Sequence, residues 1–200
     1  MNLALRLTIL IAAIITVMCC ASVEMVNMSP ESTIPTIPDF KTIYATIKVT
    51  CSDPLSSANE DVANYLNKER VFHSVVALSS KDSLTESDVE LFVIHKTIED
   101  DHHSEEMGKA VLRGLMLGLA NGSVADKYEY TVTLKATLKK GLKVFTTYEA
   151  TGKYYAQQPE NRKKAQGSEV RKLAWEHALK LLVMKIKKDR NNIVDCLKQK

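Results

Sequence analysis

Two hundred residues, 45% hydrophobic and 26% charged, are enough for one domain with a real core and exclude wholesale disorder. The formal net charge of +3 says little by itself, and no nucleic-acid partner is expected. The distribution says more: nine carboxylates fall between Asp82 and Glu106, while Lys153 to Lys200 carries thirteen Lys and Arg against five acids. That basic end reads as a solvated helix face with lysines between apolar positions. Phosphates, lipid head groups or an acidic partner are the alternative.

The chain opens with Arg6 and then an apolar or small run from Leu7 to Cys20. About fourteen residues is short of the roughly twenty needed to span a bilayer and suits the h-region of an export signal. Small residues at Cys19, Ala21 and Ser22 fit cleavage after Ala21. The other outcome is lipid attachment at Cys20, because Val17, Met18, Cys19, Cys20 resembles a lipoprotein processing box. Met18 is bulkier than that box favours, and Cys19 stands where a Gly, Ala or Ser is usual. Ser22 to Asp39 carries Pro30, Pro35 and Pro38 among Ser and Thr without a regular period, which predicts an extended tether.

Ile43, Ala45, Ile47 and Val49 alternate with polar residues and predict a first strand ending at Cys51. Asn59 is placed to cap a short helix with Glu60 and Asp61 in its first turn, apolar at Val62, Tyr65 and Leu66 and ending near Arg70. Val71 to Ser79 and Val89 to Ile98 predict two further strands. Glu105 to Ala120 changes to helical spacing, with Met107, Val111, Leu112, Leu115, Met116 and Leu119 on one face. It reads as a core helix with a glycine stop. A membrane-contacting or oligomer-forming segment is the sharper alternative, favoured by Gly114 and Gly118 and opposed by Arg113.

The clearest signal is a β-hairpin over Tyr128 to Tyr155. Tyr128, Tyr130, Val132, Leu134, Ala136 and Leu138 share a dry face, and Lys139, Lys140 and Gly141 form the loop. On the return run Leu142, Val144, Tyr148 and Tyr154 are expected on one side, with Thr147, Glu149, Thr151 and Lys153 on the other. Ser168 can then cap a final helix with a wide apolar side from Val170 to Ile186, in which Trp175 is expected as a core anchor. The expected fold is α+β: a single mixed sheet of about five strands in the order β-α-β-β-α-β-β-α, with helices mainly on one face. The expected organisation is a signal over 1–21, a tether over 22–40, a globular domain over 41–190 and a basic tail over 191–200.

Residues that carry chemistry are few. Glu99 to Glu106 contains His102 and His103, and His103 with Glu106 could share a helix face at a spacing of three. No established metal-binding spacing surrounds them, so a solvated loop opening a helix is preferred to a metal site. His73, His95 and His177 are scattered, no serine sits in a nucleophile-elbow frame, and no glycine loop is built for phosphate. No catalytic residue, metal or cofactor is therefore expected. In an oxidising compartment Cys51 and Cys196, the two cysteines of the folded part, could form a disulfide.

The layout from about residue 41 to 188 resembles small bacterial envelope proteins of the TolB N-terminal or CsgG-like kind. The residues that carry it are the strand opening Ser87, Asp88, Val89, Glu90, Leu91, the hairpin and the closing helix. The hairpin turn is Lys139, Lys140, Gly141 where that group uses aspartates. The resemblance implies a non-catalytic role in assembly, secretion or protein contact at the envelope. The expectation is thus an exported protein of the periplasm or outer membrane, binding an envelope protein or itself and meeting the membrane through a lipid anchor. A membrane-active or oligomer-forming secretion component and a metal-dependent enzyme are the alternatives.

Overall fold

A computed structural model describes residues 24–27, 37, 40–52, 57–78, 83–101, 125–159 and 165–198. Its strands are β1 (Glu24–Asn27), β2 (Ile43–Cys51), β3 (Phe72–Ala77), β4 (Val89–Asp101), β5 (Ala125–Lys140) and β6 (Lys143–Pro159). Its helices are α1 (Ala58–Lys68), α2 (Ala165–Lys188) and α3 (Arg190–Lys198). The strands make one mixed sheet in the order β1-β6-β5-β4-β2-β3. β2 runs parallel to both β3 and β4, whereas β4, β5, β6 and β1 are antiparallel. This is the expected α+β architecture with helices on one face. The additional strand, β1, lies within the stretch expected as a tether and pairs with β6 from Glu24–Gln157 to Asn27–Tyr154.

Period-two alternation decides which face closes. Ile43, Ile47 and Val49 of β2, Leu91 and Val93 of β4, and Val132, Leu134, Ala136 and Leu138 of β5 are all buried on one side. α1 and α2 cover that side with Val62, Ala63 and Leu66, and with Val170, Ala174, Ala178, Leu181, Leu182 and Ile186. α2 lies on β5 and β6, and α1 on β2 and β3.

Three local predictions are corrected. Asn59 lies inside α1, whose N-cap is Ser57. Its amide instead donates to Leu78 O at 2.6 Å, which ties the helix to the end of β3. The hairpin loop is Gly141 and Leu142, with Lys139 and Lys140 still in β5; Gly141 has φ +54°, the glycine position of a type II′ turn. The pairing shifts between Leu138–Thr146 and Lys139–Val144. Phe145 is thus an extra residue, and such a bulge reverses the alternation. Val144, expected beside Tyr148 on the dry side, is consequently exposed, and Leu142, expected there too, is exposed in the loop itself.

Two helix ends show how the chain turns. Arg70 has φ +50°, and Arg70 N donates to Asn67 O while Val71 N donates to Leu66 O. This is the Schellman arrangement that ends helices, with an arginine where glycine is common. Val71 and Leu66 are both buried, the apolar contact that accompanies it. At the other end of the chain, the residues expected as a basic tail form α3. Asp189 explains this: its carbonyl accepts Ile193 N, its carboxylate accepts Asn192 Nδ2 at 3.4 Å, and Ile193 is fully buried. Tyr148 Oη also donates to Asp189 Oδ2 at 2.7 Å, so β6 holds the α2–α3 junction. Burial, with the Asp189 carboxylate beside it, raises the Tyr148 phenol above its ordinary value.

α2 approaches β6 closely at Gly152. A Cβ there would lie 2.0 Å from Ala174 O and 2.7 Å from Ala178 N, both backbone atoms of α2. Neither can move without shifting the helix. Gly152→Ala is expected to cost about 3 kcal/mol or more, the upper range of overpacking, measured as a fall in urea midpoint. A cost below about 1 kcal/mol would show that α2 can ride up without penalty.

Candidate functional site

The sheet has two faces, and the described helices cover one of them. The other face displays Lys48 and Thr50 of β2, Glu90, Phe92, Ile94, Lys96 and Ile98 of β4, and alternate residues of β5 and β6. Phe92 is half-buried there, while Ile94 and Ile98 are 44% and 48% exposed. They form an apolar stripe along β4, interrupted by Lys96. Around it runs a polar lattice: Thr133 and Thr151 hydroxyls are 3.3 Å apart, as are those of Thr137 and Thr147.

The charges on this face are largely paired. Lys153 Nζ is 2.5 Å from Glu129 Oε1. Glu90 is buried, and its carboxylate accepts the Thr50 hydroxyl and pairs with Lys139 Nζ at 3.2 Å. The Lys139 ammonium also stands 5.3 Å from the Phe92 ring centre. Lys48 Nζ donates to Asp88 Oδ2 at 2.6 Å. Thr85 adds its backbone N–H at 2.7 Å and its hydroxyl at 2.9 Å to the same oxygen. Lys48 first, and Thr85 after it, hold the Asp88 carboxyl down at about 2.

A second feature lies on the helix-covered side. A cleft of about 310 Å³ opens between the start of α1, the inner face of β4 and the first half of α2. Ser57 and Asp61 form one wall, His95 and Thr97 the floor, and Arg171, Lys172 and Trp175 the opposite wall. The His95 and Trp175 rings meet edge to face, with centres 5.6 Å apart and planes at 87°. His95 Nδ1 and Trp175 Nε1 are both buried without a hydrogen-bond partner among the described residues. Each such orphan costs about 1–3 kcal/mol in a closed interior.

Trp175, expected as a core anchor, is half-buried and packs against the core, and its meeting with His95 depends on how α2 is seated on the sheet, which no local pattern records. Cys51 and Cys196 are not bonded to each other. Arg190 Nε at the start of α3 donates to Lys41 O, near the beginning of β2, whereas Cys51 ends that strand. Asp189, just ahead of α3, is held by Tyr148 of β6, three strand steps or about 14 Å across the sheet from Cys51, against the roughly 7 Å reach of a disulfide. Cys196 Sγ instead lies 3.9 Å from Asn192 Oδ1. Cys20, His102, His103 and the Glu105 to Ala120 segment lie outside the described residues. Among the described residues, no three His, Cys, Asp or Glu side chains gather to hold a metal ion, and no helix is long and apolar enough to cross a membrane.

Neither a family model nor a curated protein matches the chain. Among solved structures it is similar to a minor lipoprotein from Acinetobacter baumannii, at 12% identity and a TM-score of 0.43, covering 76% of this chain and 96% of that one. It is also similar to rare lipoprotein B from Shewanella oneidensis, at 12% identity and a TM-score of 0.37, covering 76% and 94%. A third is the uncharacterized lipoprotein B from Nitrosomonas europaea, at 10% identity and a TM-score of 0.40, covering 82% and 94%. At these scores no property of those proteins is transferred to this chain.

The outer face yields two expected outcomes. Asp88 is more acidic folded than its ordinary 3.8, so its contribution to stability is complete above about pH 4 and is lost as pH falls towards 2. Urea midpoints of the parent and Asp88→Asn should differ at pH 6 and converge near pH 2; a constant gap would detach Asp88 from this effect. Ile94→Lys and Ile98→Lys should each change stability by less than about 0.5 kcal/mol, as exposed positions do. A loss comparable to the roughly 3 kcal/mol expected for core Leu134→Ala would show that the stripe is covered.

Proposed function

We propose that the chain is an exported cell-envelope protein that acts as a non-catalytic binding or assembly module. Its partner is an envelope protein that docks on the outer face of the sheet along β4. The observation that carries this reading is the asymmetry of the sheet. Helices seal one face, while the other presents Phe92, Ile94 and Ile98 inside a ring of paired charges and threonines. An apolar centre with a polar rim is how protein interfaces are commonly composed. Pre-formed ion pairs suit such a surface, because few uncompensated charges must lose water on docking.

The leader over 1–21 supports export, and Cys20 supports lipid anchoring as the finer form of the proposal. The resemblance in layout to TolB N-terminal or CsgG-like proteins agrees with a docking role. Fold analogy alone does not assign it.

The test combines location with contact. Cells expressing the native gene are fractionated, the mature N-terminus is determined by mass, and photo-crosslinkers are placed at positions 96 and 133, which pair on the same outer face beside Ile94 and Ile98. The expected result is a processed protein in the envelope fraction, lipid-modified unless Cys20→Ser is introduced, with one envelope protein crosslinked from both positions. The Ile94→Lys, Ile98→Lys double variant should lose that contact by tenfold or more at unchanged stability. Recovery of intact Met1 from the soluble cytoplasm would overturn the proposal, as would crosslinks that persist undiminished in the double variant.

A further inference from the structure

We propose that the cleft between α1, β4 and α2 is a binding site for a small organic monoanion, a carboxylate carried on a flat apolar body. The site is separate from the outer sheet face and stands whether or not that face docks a protein.

Three observations converge on it. Its volume of about 310 Å³ falls at the small end of pockets that hold organic ligands. His95 and Trp175 line it, and their buried Nδ1 and Nε1 atoms have no hydrogen-bond partner among the described residues. Buried polar groups are normally satisfied, so two orphans side by side point to a missing acceptor or donor. Trp175 Nε1 can only donate, which calls for an acceptor such as a carboxylate oxygen reached by a small adjustment of the ring.

The third observation is charge. The cleft is framed by the opening turns of α1 and α2, where the helix dipole is positive. Arg171 and Lys172 stand on the rim against Asp61 as the opposing carboxylate. Lys172 is already 3.9 Å from Glu176. Arg171 is therefore the group to hold the anion, with a planar fork that fits a carboxylate in two parallel bonds. Asp61 works against a more highly charged guest, so a monoanion is favoured over inorganic phosphate. The indole of Trp175 supplies a flat surface for the apolar part.

Trp175 is the only tryptophan in the chain, so intrinsic fluorescence reports from this cleft. The mature protein is titrated with sodium benzoate at constant ionic strength, with N-acetyltryptophanamide as a control for collisional quenching. Benzamide, the uncharged analogue, and inorganic phosphate are titrated in parallel. Benzoate should give a saturable change with half-saturation near ~1 mM, as expected for a ligand of so few atoms. Benzamide and phosphate should be at least tenfold weaker. Arg171→Gln, an exposed position checked by its thermal melt, should weaken benzoate tenfold or more, while Lys180→Gln on the same helix should leave it unchanged. A linear, non-saturating response to benzoate overturns the proposal. So does equal binding of benzamide or phosphate, or unchanged affinity in Arg171→Gln.

Discussion

The close seating of α2 on β6 is the constraint from which the rest of the molecule follows. At Gly152 the helix backbone occupies space that any side chain would need, and Ala174 and Ala178 are the small residues that let it do so. Because α2 comes so near, its apolar side reaches across to β5 and fills the space over Val132, Leu134 and Ala136. Dispersion contacts fall off steeply with distance, so a helix held even an ångström higher would lose much of that packing. The same seating brings Lys187 within 2.9 Å of Glu69 at the end of α1 and Asp189 under Tyr148. Helix, neighbouring helix and C-terminal cap are all placed by one small residue on a strand.

Much of this was legible in the order of residues, for a physical reason. A strand buried on one face has to alternate, and β2 and β5 do so without interruption, so their inner residues could be named from spacing alone. The return strand could not be read in the same way. One extra residue at Phe145 turned Val144 outward, and a bulge leaves no mark in composition. α3 was missed because its Arg, Asn and Asp residues look like solvent-exposed tail, and its single fully buried contact, Ile193, is too sparse to form a periodic pattern. Gly152 was equally silent. A glycine within a strand can mark a bulge, a bend or a close approach, and only the position of the helix distinguishes them.

The candidate sites followed the same division. Residues of the outer face were visible as the polar half of each alternating strand, but the apolar stripe was not. Ile94 and Ile98 belong to a strand rich in large residues, and both could have been buried had a second layer been present. The cleft was harder still. His95 and Trp175 are eighty positions apart in the chain, and nothing joins them until α2 is seated on the sheet. Ion pairing on the outer face is similarly non-local, since Lys139 meets Glu90 only through the antiparallel register of β4 and β5.

The short edge strand β1 alters how the beginning of the chain must be pictured. Were a lipid carried at Cys20, residues 21–23 alone would separate it from the first paired residue, at most about 14 Å of extended chain. The body would then sit hard against the bilayer surface, its orientation dictated by the rim of the sheet instead of swinging from a stalk.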